Sequence, residues 1–140
     1  MNSIFEEDVP TSPYISFLNR KHAKYLNKKL ESENLSYGLY PLIVKIYRED
    51  GISQEDLAEF FQLNESTITR NLKKLEEKGF ITKTAQHRKK IITITSKGEK
   101  TANKIMDFDD QWEEIIRKDI TQEEYNQYKK TLQKIIKSLI

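Results

Sequence analysis

The stretch GISQEDLAEFFQLNESTITRNLKKLEEKG, residues 51–79, decides how this chain folds. Glycines bound it at both ends, and between them two helical patterns follow each other almost without a connection. Ser53-Gln54-Glu55-Asp56 has the form of a capping box, with Asp56 where Glu or Gln is usual. Leu57, Ala58, Phe60 and Phe61 supply a short apolar face, so the spacing predicts a brief helix over about 54–61. Gln62-Leu63-Asn64 is too short to be more than a tight turn. Asn64 suits an N-cap and Glu65 suits a first turn, where the helix dipole favours an acid. The second helix then runs to about Lys78, with Ile68, Leu72 and Leu75 on one face and Gly79 as its stop.

Immediately after it, Phe80-Ile81-Thr82-Lys83-Thr84 and Lys90-Ile91-Ile92-Thr93-Ile94-Thr95 are β-branched and alternate in polarity. They flank the polar tip Ala85-Gln86-His87-Arg88-Lys89, which predicts a hairpin. Upstream, Ile15, Leu18, His22, Tyr25, Leu26 and Leu30 recur by threes and fours, predicting a helix over about 13–33. His22 lies on that stripe, as a packed or interfacial histidine would. A further helix carries Leu39, Leu42, Ile43 and Ile46. Ser36 is a candidate cap for it, but Pro41 would then delete an internal hydrogen bond. Alternatively the helix begins at Pro41, where the missing N–H is harmless. Ser96 opens a long helix, and Thr121-Gln122-Glu123-Glu124 is a capping box that opens the last one, with Tyr125, Tyr128, Leu132, Ile135, Ile136 and Leu139 on its stripe. The predicted fold is mainly α with a small β-hairpin wing. It is a winged helix-turn-helix over residues 36–98, flanked by helical segments at 1–35 and 99–140, all within one structural domain.

The second helix of the pair carries its own chemistry. Opposite its packing face lie Ser66, Thr67, Arg70, Asn71 and Lys74. Hydroxyls and lysines suit phosphates, while Arg and Asn suit base edges in a major groove. Its N-terminus adds backbone N–H groups that favour an anion. His87-Arg88-Lys89-Lys90 at the hairpin tip would reach an adjacent minor groove. Double-stranded DNA is therefore the expected partner.

Four segments then carry a family resemblance. They are Gly51-Ile52-Ser53-Gln54-Glu55-Asp56-Leu57-Ala58, Leu63-Asn64-Glu65-Ser66-Thr67-Ile68-Thr69-Arg70, Leu75-Glu76-Glu77-Lys78-Gly79-Phe80-Ile81 and Ile94-Thr95-Ser96-Lys97-Gly98. Together they resemble the signature run of MarR-type transcriptional regulators. The resemblance implies a homodimer that binds pseudo-palindromic operator DNA, most often as a repressor. It implies dimerisation through the first and last helices and part of the one before. By position it places Ser66, Thr67, Thr69 and Arg70 near bases and phosphates and Arg88 in the minor groove, with Asn71, Lys73, Lys74, Lys89 and Lys90 completing the expected DNA-binding set. The wing departs from the family pattern. Gln86, His87 and Arg88 stand where Asp-Arg-Arg is usual, and the wing is about three residues shorter. The acid that braces the wing arginine is missing, which leaves Lys89 or Lys90 as alternative phosphate contacts.

Composition bounds the rest. The 140 residues contain no cysteine, which excludes disulfides, thiolate metal sites and cysteine redox sensing. Apolar runs are too short for a membrane span. Residues 1–8 are acidic and lack the apolar core of a signal peptide, so the expected location is the cytoplasm. Net charge is only +2, which argues against a uniformly basic polyanion binder. It hides a gradient: residues 64–100 hold ten basic and four acidic side chains, a local +6, and the remainder hold fourteen and eighteen, −4. No cofactor, metal site or enzyme motif is expected. Asp107, Asp109 and Asp110 lack a partner base and suit a solvated acidic face. Relatives of this type are commonly relieved by small aromatic acids. A phenolic or carboxylate effector would meet Arg20, His22, Lys24, Tyr25 or Tyr37. The competing reading is a winged-helix protein-interaction module whose basic face is incidental.

Overall fold

The computed structural model describes residues 5, 6 and 8–140. Most of the residues that argued against a leader, Met1 to Ile4 and Glu7, lie outside the described ones. Six helices and one small sheet follow the order α1 (Thr11–Lys29), α2 (Tyr40–Arg48), β1 (Ile52–Ser53), α3 (Gln54–Phe61), α4 (Glu65–Glu77), β2 (Ile81–Gln86), β3 (Lys89–Ile94), α5 (Ser96–Ile116) and α6 (Gln122–Ser138). The fold is thus mainly helical with a β wing, as predicted. Among the described residues no helix is long and apolar enough to cross a membrane.

Local chemistry explains the boundaries. The Ser53 hydroxyl accepts from the Asp56 N–H, the Asn64 side chain from the Thr67 N–H, and the Thr95 hydroxyl from the Gly98 N–H. Thr121 and Glu124 close a full capping box on α6. Pro41 sits in the first turn of α2, so the helix avoids the lost hydrogen bond by starting beside it. α1 starts earlier than expected, before Pro13, because first-turn N–H groups have no helical partner to lose. It also ends earlier, at Lys29. The backbone then tightens into a 3-10 turn over Glu31–Glu33 and reverses at Asn34, whose φ is 52°.

β1 is the element the sequence did not announce. Its two residues pair antiparallel with β3, Ile52 opposite Ile92 and Ser53 opposite Ile91, giving a three-stranded sheet in the order β1-β3-β2. A two-residue strand is too short to display an alternation. The core lies where α2, α3, α4, α5 and the sheet converge. Ile43, Ile46, Leu57, Leu72, Leu75, Phe80 and Ile92 are each fully buried there. Gly98 sits against this core so tightly that a Cβ would overlap the Phe80 carbonyl oxygen and the Ile94 side chain.

The flanking helices are built differently. α6 has no buried residue, and Ile135, Ile136, Leu139 and Ile140 are all at least half exposed. Ile15, Phe17 and Leu18 on α1 and Ile115 on α5 are also exposed. α6 is tied to α5 near its start, where the Tyr125 hydroxyl donates to Glu113 Oε2 at 3.0 Å and the Arg117 guanidinium lies over the Tyr125 ring.

Candidate nucleic-acid interface

Helix α4 is aimed by its caps and by its buried face. Asn64 Oδ1 accepts from the Thr67 N–H at 2.8 Å and from the Ser66 hydroxyl at 2.9 Å, fixing the first turn. Ile68, Leu72 and Leu75 face the core. The opposite surface brings Ser66, Thr69, Arg70 and Lys73 together beside Glu65. Thr67 and Asn71 are half-buried, and Lys74 is exposed one turn beyond Arg70. The Ser66 hydroxyl proton is engaged by the cap, so toward a ligand the group offers lone pairs.

The wing is as short as a hairpin allows. Gln86 pairs with Lys89, leaving His87 and Arg88 as a two-residue turn with His87 at φ 59°. Lys89 and Lys90, expected at the tip, belong to β3 and so point to opposite faces. Lys90 shares the face of the buried Ile92. Together with Arg88 it lines a depression of about 450 Å³ against Gln54 and Glu55 of α3 and Glu65 of α4. Lys89 is exposed on the other face. The face of α4, the start of α3 and one side of the wing therefore border a continuous surface. Among the described residues no carboxylate lies within ion-pair distance of Arg70, Lys73, Lys74, Arg88, Lys89 or Lys90. Glu55 and Glu65 border the same surface, but none of these cations is tied up in a close ion pair, so their charge is available to a polyanion.

A second cluster lies where α1, α2 and α5 meet. His22 Nε2 donates to Asp109 Oδ1 at 2.7 Å, and its Nδ1 meets the Tyr37 hydroxyl, which donates on to Asn19 Oδ1 at 3.1 Å. Burial, and then the Asp109 charge, push the Tyr37 phenol above its ordinary value. His22, Tyr37, Arg48 and Asp109 border a cavity of about 630 Å³, floored by Leu26, Phe61 and Ile105. Of the five residues expected around an effector, His22 and Tyr37 meet here. Tyr25 faces elsewhere, its ring 5.6 Å from Trp112 and its hydroxyl donating to Gln111. Arg20 and Lys24 are exposed and border none of this cavity. Sequence reasoning missed Asp109 and Arg48. Asp107 and Asp110 are solvated as expected, but Asp109 is half-buried and paired. The signal was present: Ala102, Ile105, Asp109 and Trp112 share one helical stripe. Among the described residues no group of three or more His, Asp or Glu could hold a metal.

Comparison with known proteins gives this geometry a context. The profile described as "MarR family" matches residues 35–90. The HTH-type transcriptional regulator BilQ of Clostridium symbiosum is 29% identical over 128 residues, spanning 89% of each chain. The crystal structure of MarR superposes with a TM-score of 0.83 at 29% identity, covering 98% of this chain and 95% of that one. The Staphylococcus aureus MepR–DNA complex superposes with a TM-score of 0.84 at 25% identity, covering 94% and 98%. A capped helix-turn-helix, a β wing and long flanking helices, over nearly the whole chain, agree with all of these. Over nearly its whole length the chain is similar to transcriptional regulators of the MarR type.

Proposed function

We propose that this protein binds operator DNA sequence-specifically as a homodimer and acts as a repressor. The observation that carries the reading is the shared surface on which Ser66, Thr69, Arg70 and Lys73 of α4 lie beside Arg88 and Lys90 of the wing, with no acid ion-paired to these cations among the described residues. α4 would enter a major groove with Arg70 at base edges and Ser66, Thr67, Asn71, Lys73 and Lys74 at its flanks. Arg88 would reach the neighbouring minor groove, and Lys89 and Lys90 the phosphates. The charge gradient supports this placement, since the basic excess falls on the winged segment and the remainder repels DNA.

Dimerisation is supported by the exposed apolar side chains of α1, α5 and α6, which a single chain leaves uncovered. Two-fold pairing through these helices would set the two α4 helices about one DNA turn apart. The cavity at His22, Tyr37, Arg48 and Asp109 supports a small phenolic or carboxylate effector, with Arg48 as its cationic partner. Its walls come from both the flanking helices and the winged body, so a bound molecule would bias their relative position.

The test is a gel shift with DNA from upstream of the protein's own gene, run over a salt series. The expected result is a selective complex whose affinity falls steeply as salt rises. Equal affinity for unrelated DNA, or none at low salt, would overturn the reading.

A further inference from the structure

Where α3 meets α4, the recognition surface holds a polar contact that neither the turn nor the core requires. Gln54 opens α3 directly after its cap, and only 7% of its surface is exposed. Its Nε2 donates to Thr69 Oγ1 at 3.0 Å, tying α3 to α4. Its Oε1 is buried with no partner among the described residues. Burying an acceptor without a partner costs free energy, and a methionine of similar length would fill the position without that cost. Packing gives no reason for an amide here. The other end of the hydrogen bond does.

A threonine hydroxyl has one proton to donate and lone pairs with which to accept. Within a helix the proton often returns to the carbonyl four residues earlier. Among the described residues Thr69 makes no such bond to Glu65, and the bond from Gln54 is the only one at its hydroxyl. Gln54 occupies one lone pair of the Thr69 hydroxyl, so the proton is left for a partner other than Gln54. Beside Thr69 lies the face shared by Ser66, Arg70 and Lys73. We propose that Gln54 sets base preference from outside the recognition helix, by holding Thr69 as a hydrogen-bond donor toward the major groove. The base edge it selects is an acceptor: N7 of a purine, O6 of guanine or O4 of thymine. Thr69 makes the contact, and Gln54 is a positioning residue. This inference rests on the DNA-binding reading above and adds one selectivity element per half-site.

The test lets the full chain select from duplexes carrying a randomised central segment, with bound and unbound pools sequenced. Wild type and Thr69→Ser should share one motif. Thr69→Val and Gln54→Met should lose the same preference at one base pair of each half-site, by about five- to tenfold, and the double variant should lose no more. Gln54→Glu can only accept, so it should take the Thr69 proton and turn a lone pair toward the groove. Preference at that base pair should then move to a donor edge, N4 of cytosine or N6 of adenine. A Thr69→Val protein with the wild-type motif overturns the inference. So does a folded Gln54→Met protein, or a Gln54→Glu protein where Gln54→Met does not fold, that keeps the wild-type preference at every position. These outcomes leave DNA binding itself intact. A wild-type protein that enriches no motif removes the DNA-binding reading and this inference with it.

Discussion

Replacing Ile135 and Ile136 by alanine should dissociate the protein without unfolding it. Both side chains lie on α6, with 51% and 56% of their surface exposed. Full burial of an isoleucine is worth roughly 1.5–3 kcal/mol, so covering the exposed half of each contributes about 1 kcal/mol. A two-fold interface uses each residue twice. Four such side chains sum to about 4 kcal/mol, or about a thousandfold in the dimer dissociation constant. Alanine raises helix propensity, so α6 itself should persist. Sedimentation equilibrium over a wide concentration range reads the constant, and circular dichroism confirms the helix content. An unchanged constant in a folded double variant would refute the assignment of α6 to the interface. A wild-type protein that stays monomeric at micromolar concentration would refute the dimer altogether.

Three further outcomes follow from particular contacts. Gly98→Ala forces a Cβ onto the Phe80 carbonyl, a backbone atom that cannot move aside, and should cost about 2–3 kcal/mol, read as a fall in melting temperature of roughly 10 °C. For Glu33, burial raises the carboxyl pKa, but hydrogen bonds from Lys104 and Thr101 and the charges of Lys104 and Lys97 outweigh it, and the net value is below the usual 4.5. A depressed folded pKa stabilises above the unfolded one, so the stability gap between wild type and Glu33→Gln should be present at neutral pH. It should close as pH falls below about 4.5 in denaturant titrations, and a gap that widens there would contradict the assignment. Lys73→Ala should weaken binding to all duplexes alike and reduce the slope of log affinity against log salt by about one; an unchanged slope would remove Lys73 from the phosphate contacts.

Much of this architecture was legible because its signals are local. Ser53, Asn64 and Thr121 cap within three residues of themselves, and Gly79 stops α4 at φ 84°, so the helix boundaries around the turn could be read directly. The basic surface was legible by type but less so by grouping. Thr69 and Lys73 join Ser66 and Arg70 around one shared surface, a matter of helix rotation that residue types do not fix, and Thr67, Thr69 and Asn71 are each half-buried. What escaped depends on distant parts of the chain. β1 exists only because β3 pairs with it. His22 and Asp109 are 87 residues apart, and although the stripe through Ala102, Ile105 and Trp112 marks Asp109 as inward-facing, it does not name His22 as its partner. Gln54 looks like an ordinary first-turn residue until α4 packs across it and supplies Thr69.

The central claim is that α4 reads bases through Arg70, and one titration tests it most directly. Fluorescence anisotropy is recorded for wild type and Arg70→Ala on a duplex carrying the selected motif and on a shuffled duplex of equal length. The account predicts a loss of roughly 1–3 kcal/mol, about ten- to a hundredfold, on the selected duplex and a much smaller loss on the shuffled one. An equal loss on both duplexes, or none on either, would contradict it.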